Sequence, residues 1–130
     1  MAGMRRTIGI IDDDESVRRA LRRLVQAAGL NAETFATAEE FLESPPQRVR
    51  DCLILDVHLP GMSGRDLQQR LTAEGRTVAI VFITAYPDQQ VREQALRAGA
   101  VAFLEKPFED QSLLDAVDRA MHTRDEDPAS

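Results

Sequence analysis

Four places in this 130-residue chain hold side chains that do chemistry together. Asp12, Asp13 and Asp14 stand in a row after the apolar stretch TIGII. Asp56 closes the apolar stretch CLILD, just ahead of the turn-forming HLPGMSG. Thr84 closes VAIVFIT, and Lys106 follows AFLE and precedes Pro107. Clustered carboxylates bind a hard divalent cation, and Mg2+ takes oxygen ligands while keeping waters and phosphate oxygens in its shell. A carboxylate also attacks phosphorus to give an aspartyl phosphate. An ammonium and a hydroxyl suit the charge on the equatorial oxygens of a transferring phosphoryl group. Taken singly, each residue has an ordinary reading. An acidic run caps a helix and complements its dipole, and an Asp before a Pro/Gly turn belongs to the turn. Thr84 is then the last β-branched residue of its run, and Lys106 a surface charge. The elements that carry these residues decide between the readings.

Apolar runs alternate with helical patterns along the whole chain. TIGII (Thr7–Ile11) reads as a buried strand. Val17, Ala20, Leu21, Leu24, Val25 and Ala28 then recur at helical spacing up to Gly29. NAETF (Asn31–Phe35) is a more polar strand suited to an edge. Thr37 and Glu40 fit a capping box for a helix through Phe41 and Leu42, and SPPQ (44–47) breaks the chain. CLILD (Cys52–Asp56) is a third strand, and a helix follows between Gly64 and Gly75 with Leu67 and Leu71 one turn apart. VAIVFIT (Val78–Thr84), the most apolar segment, reads as a central strand. Pro87 fits the first position of the next helix, which carries chiefly Val91 and Leu96 as large apolar residues and stops at Gly99. AFLE (Ala102–Glu105) is a fifth strand, and Asp110 fits the cap of a last helix with Leu113, Leu114, Val117, Ala120 and Met121 on one face. TRDEDPAS (123–130) reads as a polar, frayed end.

Near-continuous apolar strands alternating with helices predict a doubly wound α/β domain, a parallel sheet covered on both faces. Such sheets bind ligands outside the carboxyl ends of their strands. Asp12, Asp13 and Asp14, Asp56, Thr84 and Lys106 all fall at those ends, so four acidic residues, a hydroxyl and an ammonium meet at one edge. The bulk composition agrees with a single domain. Acids exceed bases, 22 to 16, for a net charge of −6, which argues against a generic nucleic-acid surface. A single cysteine, Cys52, excludes an internal disulfide and a cysteine metal cluster, and fits a reducing cytoplasm. No apolar run approaches the ~20 residues of a membrane-spanning helix, and MAGMRRT has no signal-type apolar region. No Ser/His/Asp or Cys/His set is present, and the glycine-rich turn from Gly61 to Gly64 has no P-loop pattern.

The run IIDDDESVR, LILDVHLPGMSG, ITAYPD, ALRAGAVAFLEKPF and a closing amphipathic helix resembles a receiver domain of the two-component response regulators. The likeness runs from Thr7 to about His122, and AEEFLES, FITAYPD and FLEKPF bring it nearest to receivers of the nitrogen-fixation-regulator type. It implies a flavodoxin-like fold with strand order 2-1-3-4-5, a receiver domain over residues 1–124, and 125–130 as a tail or the start of a linker. It makes Asp56 the phosphoacceptor, with Asp12, Asp13, Asp56 and the His58 backbone carbonyl holding Mg2+. Asp14 is then a helix-start residue. Thr84 becomes the switch hydroxyl, Lys106 the lysine on the phosphoryl group, Phe103 the aromatic switch position, and Lys106–Pro107 a cis peptide. The implied partner is a histidine kinase or phosphotransfer protein, with a possible homodimer through the fourth helix, fifth strand and fifth helix. Neither direct nucleic-acid binding nor membrane contact is implied, and the domain catalyses only its own phosphorylation and slow dephosphorylation.

Some positions are particular to this chain. Phe103 has no hydroxyl, so packing alone must report its rotamer. His58 and Tyr86, two residues past Asp56 and Thr84, flank the approach of an attacking water and should slow phosphoryl loss. Arg18, Arg19, Arg22 and Arg23 form either a solvated face or a docking face for the kinase. Cys52 reads as a small core hydrophobe and His122 as incidental. One rival is a Mg2+-dependent phosphohydrolase, which resembles Asp-x-Asp after a strand; here the residue two past Asp56 is His58. A flavodoxin-like cofactor binder is a second rival, disfavoured by the acidic edge and the absence of tryptophan. A receiver-like domain that has lost phosphorylation is a third, at odds with the complete residue set. Whether the chain acts alone or precedes a DNA-binding output domain is open at this level.

Overall fold

The computed structural model describes residues 5–45 and 50–125. Its elements run β1 (Thr7–Ile11), α1 (Glu15–Ala27), β2 (Asn31–Phe35), α2 (Ala38–Glu43), β3 (Cys52–Asp56), α3 (Gly64–Ala73), β4 (Ala79–Thr84), α4 (Gln89–Arg97), β5 (Ala102–Glu105) and α5 (Asp110–Asp125). All strand pairs are parallel, and the order is β2-β1-β3-β4-β5. This is the doubly wound, flavodoxin-like sheet that the alternation predicts.

Strand periodicity explains the near-continuous apolarity, because each strand serves two cores. Ile8, Ile10, Cys52, Ile54, Val81 and Ile83 face Leu21 and Val25 of α1 and Leu113 and Val117 of α5. The intervening Ile11, Leu53, Leu55, Ile80 and Phe82 face Phe41 of α2, Leu67 and Leu71 of α3 and Ala95 of α4. No helix among the described residues is long and apolar enough to cross a membrane.

Several local expectations need correction. β4 is a central strand as expected, paired with β3 on one side and β5 on the other, but it starts at Ala79 rather than Val78. Its apolarity reports that both faces are covered, as they are for every interior strand. Thr37 caps α2 through its hydroxyl, which accepts the Glu40 N–H at 3.0 Å, but the Glu40 carboxylate turns to the Ala36 N–H rather than closing the box on Thr37. Asp88, not Pro87, opens α4, its carboxylate accepting the Gln90 and Val91 N–H groups; the side-chain acceptor outweighs the proline preference. Asp110 is the first residue of α5 rather than its cap. The last helix continues through 123–125, further than its polar composition suggests. Residues 46–47 of the predicted break and 126–130 of the predicted tail lie outside the described residues.

Two buried groups escape local pattern reading. Arg50, 5% exposed, donates from Nε to Glu33 at 2.9 Å, and its guanidinium carbon lies 5.4 and 5.1 Å from the ring centroids of Phe35 and Phe41. The aromatic faces stand in for part of the lost hydration of the cation. Gln68 of α3 is equally buried and donates from Nε2 to the Ala95 carbonyl of α4 at 3.1 Å, a polar link between two helices. Cys52 is fully buried as a core residue, and burial, with a contribution from Asp51, pushes its thiol up to about 12. It stays protonated and inert at neutral pH.

Candidate functional site

Parallel pairing delivers the chemical groups to one edge by register. Ile11 pairs with Leu55, Asp56 with Ile83, and Thr84 with Glu105. Asp12, Asp56, Thr84 and Lys106 are therefore each at or one step past the end of a neighbouring strand. The ladder continues past the strands themselves: the Asp12 N–H donates to the Phe35 carbonyl at 3.1 Å and the Lys106 N–H to the Thr84 carbonyl at 2.7 Å.

The side chains complete the gathering. One carboxylate oxygen from each of Asp12, Asp13 and Asp56 lies within 4.8 Å of the others. Lys106 Nζ bridges two of them, donating to Asp12 Oδ2 at 2.8 Å and Asp56 Oδ2 at 3.1 Å. The remaining oxygens are held by main chain. Asp12 Oδ1 accepts the Asp14 N–H at 2.9 Å, and Asp56 Oδ1 accepts the His58 N–H at 3.0 Å. Asp12 and Asp56 are buried and Asp13 is exposed, so the pocket opens on the Asp13 side.

Burial raises the Asp56 carboxyl above the usual range, and the Asp12 charge adds to the rise, while the His58 N–H and Lys106 pull the other way. For Lys106 burial acts downward, but the hydrogen bonds and charges of Asp12 and Asp56 outweigh it and hold the ammonium above its ordinary value. Crowded acids with one shared cation fit a divalent metal well. Three convergent hard oxygens match the chemistry of Mg2+, and a second cation would relieve the acid–acid repulsion that adds to the effect of burial on Asp56.

The other singled-out residues take distinct places. Thr84 is buried, and its hydroxyl oxygen accepts the Tyr86 N–H at 3.0 Å. Phe103 is half-buried and lies opposite Phe82 in register, their ring centroids 6.1 Å apart. His58 and Tyr86, two residues past Asp56 and Thr84, meet edge to face, 5.4 Å between centroids and 85° between planes. Asp14 caps α1, accepting the Ser16 and Val17 N–H groups. His122 stands apart on α5, a ring nitrogen 2.8 Å from the Asp118 carbonyl. The Lys106–Pro107 peptide is cis.

Two residues read otherwise from the sequence, Arg18 as part of a solvated or docking face and Gly64 as part of a turn, contribute to the site. Arg18 of α1 donates to the Asp12 carbonyl at 2.8 Å and braces the acidic turn from behind. Gly64 lies so close under β3 that a Cβ there would fall 2.3 Å from the Asp56 carbonyl oxygen and 3.1 Å from the Phe82 ring. The glycine spacing in GMSG was the available signal. A glycine opening a helix right after the acidic strand marks close backbone approach.

A match to the response regulator receiver domain family covers residues 8–118. Nodulation protein W of Bradyrhizobium diazoefficiens is 43% identical over 116 residues, which are 89% of this chain and 51% of that protein. The chain spans about half the length of the curated relatives it matches. Among solved structures, the response regulator StyR superposes with a TM-score of 0.86 at 46% identity, covering 95% of this chain and 62% of StyR. FixJ-N superposes with a TM-score of 0.84 at 34% identity, covering 92% of this chain and 95% of FixJ-N. Sheet order, acidic pocket and matched span agree: the chain belongs to the response regulator receiver domain family, close to the FixJ and nodulation protein W receivers.

Proposed function

We propose that Asp56 accepts a phosphoryl group from a phosphohistidine on a partner histidine kinase or phosphotransfer protein, and that the domain relays this as a change of surface. The observation that carries the reading is the meeting of the Asp12, Asp13 and Asp56 oxygens with Lys106 Nζ in one open-mouthed pocket. An Asp56 oxygen attacks phosphorus in line. The phosphorus–nitrogen bond breaks, the departing imidazole keeps its electron pair, and the chain holds an aspartyl phosphate. Asp12, Asp13, Asp56 and the His58 backbone carbonyl would hold Mg2+, which when bound would supply positive charge to the phosphoryl oxygens. Lys106 turns from its two carboxylates to another of those oxygens.

Thr84 then donates a hydrogen bond from its hydroxyl to a phosphoryl oxygen and draws in the segment 85–88. Phe103, beside a crevice of about 170 Å3 bordered by Pro87, Asp88 and Arg92, follows by packing alone. The result is a population shift of the α4–β5–α5 surface, the proposed homodimer face. Ala95 is the buried residue of α4, so this helix is lightly anchored and suited to move. On the other flank, a cleft of about 500 Å3 between α1 and the turn after Lys106 is lined by Val17, Leu21, Leu24, Pro107 and Phe108. Arg22 and Arg23 are exposed on α1, whereas Arg18 braces Asp12 and Arg19 pairs with Glu15. An apolar cleft with basic residues on the adjoining helix suits docking of the kinase.

Incubation with acetyl phosphate and Mg2+, followed by intact mass, tests the reading. One phosphoryl group per chain, absent with chelator, is expected. An unlabelled chain, or multiple turnover of a phosphate ester, would overturn it. The His58–Tyr86 ring pair narrows the path of water to the acyl phosphate, so phosphoryl decay in a His58→Asn, Tyr86→Ala variant should be several-fold faster. An unchanged decay rate would remove these rings from the account.

A further inference from the structure

The turn between β3 and α3 carries the His58 carbonyl, and how that turn is held is a separate matter from which residues hold the metal. One end is tied to the sheet and the other to the first: the Val57 N–H donates to the Ile83 carbonyl of β4 at 3.0 Å, and the Gly64 N–H to the Val57 carbonyl at 2.9 Å. Ser63 and Asp66 close a capping box at the start of α3. Between these ties the chain runs through exposed Pro60 and Gly61, with Leu59 buried in the core. Glu39, from α2, reaches this middle part. Its Oε2 accepts the Met62 N–H at 2.9 Å, a contact spanning 23 residues of sequence.

The carboxylate does more than accept one hydrogen bond. Gly61 has φ +74°, and a Cβ built on it would fall 2.6 Å from Glu39 Oε2 and 3.3 Å from its carboxyl carbon. The acid therefore lies flat against the Gly61 backbone, on the side where any other residue would place its side chain. A left-handed glycine and an acid occupying the space it leaves form one joint. α2 is a firm base for it, with Ala38 and Phe41 buried and Thr37 capping the helix.

We propose that Glu39 is a positioning residue for the magnesium and phosphoryl site. By seating Gly61 and Met62 it fixes the path of residues 58–62, and so the aim of the His58 carbonyl. It also fixes the His58 N–H that orients Asp56 Oδ1 at 3.0 Å. Outer partners that orient ligands are a general determinant of metal affinity, and a backbone N–H held by a carboxylate is a strong tie. The inference rests on the reading of the site as a Mg2+ site.

The test is a Mg2+ titration of the full chain followed by backbone amide NMR, with amide hydrogen exchange at Gly61 and Met62 measured alongside. Glu39→Ala is expected to weaken Mg2+ binding about three- to tenfold and to speed exchange at Met62. Glu39→Gln keeps the acceptor and loses the charge, and should bind Mg2+ close to wild type. Wild-type affinity in Glu39→Ala overturns the inference while leaving the metal site intact. Equal weakening in both variants overturns it in favour of simple charge attraction. A wild-type protein with no Mg2+ response overturns the metal site itself, and the role of Glu39 with it.

Discussion

Asp56→Asn is expected to yield a protein that takes up no phosphoryl group and yet unfolds at a higher temperature than wild type in Mg2+-free buffer at pH 7. The first half follows from the chemistry, since an amide is no nucleophile toward phosphorus. The second follows from the environment. Burial and the Asp12 charge raise the Asp56 carboxyl in the folded protein, so its ionised form is stabilised less in the fold than in the unfolded chain. The sign is then opposite to that of an ordinary salt-bridged acid. Below the unfolded carboxyl value of about 3.9 both states are protonated and Asp56 has no effect. As pH rises toward the raised folded value the unfolded chain ionises first, and stability falls. Above that value the full penalty is present, as at pH 7. Asparagine removes it while keeping the shape and one oxygen. A gain of about 1 kcal/mol would move the midpoint by roughly 4 °C at this chain length, and the gain should shrink as pH falls toward 4. Thermal melts of both proteins across pH 4–7 in chelator check this. An Asp56→Asn midpoint at or below wild type at pH 7 would refute the electrostatic account.

Lys106→Ala is expected to go the other way, by more. Lys106 is the cation that Asp12 and Asp56 share, and the three side chains are 19%, 0% and 7% exposed. Truncating one partner of a buried ion set strands the others, at about 2–4 kcal/mol for a site with some access to water. Three responses should follow. Part of the loss should be recovered on acidification, because removing the ammonium raises the Asp56 carboxyl further. Part should be recovered by Mg2+, which binds more tightly once the competing cation is gone and stabilises by mass action. Phosphoryl uptake should stay slow even where stability returns, since Lys106 is then missing from the phosphoryl oxygens. Denaturant melts with chelator and with Mg2+, beside an uptake time course, separate the three. A wild-type midpoint for Lys106→Ala in chelator at pH 7 would mean that the acids are not stranded and that the bridge contributes little. In wild type the stabilisation from Lys106 is complete below the unfolded ammonium value of about 10.4 and is lost as pH rises through the raised folded value.

These two variants differ in sign because the site is over-supplied with acids. The proposed function needs three carboxylates together where stability would keep fewer, and one lysine limits the penalty. That is the usual relation between a built site and the fold that carries it. The charge at the end of CLILD has His58 N–H and Lys106 Nζ as its hydrogen-bond donors, an arrangement that suits the proposed phosphoryl acceptor.

The strands and the edge that carries the chemistry were legible because their signals are local. TIGII, NAETF, CLILD and AFLE match β1, β2, β3 and β5 residue for residue. A buried strand is a short apolar run ended by a polar residue or a turn, and parallel register then fixes which residues share an edge. Helix starts were less legible, as Pro87 and Asp110 illustrate, because neighbouring residues compete for the cap within one turn. What only the tertiary structure decided lies in contacts between distant residues. Lys106 could have pointed to solvent. That it bridges Asp12 and Asp56, 94 and 50 residues away, depends on three strands ending at one height. Arg50, which no sequence pattern singles out, is buried against Phe35 and Phe41. Glu39, to which helical spacing assigns no partner, contacts Gly61 and Met62 from across the chain. Periodicity reports which face of an element is wet or dry. A long polar side chain reaches past its own element, so its partner is set by the packing of neighbours that no local window contains.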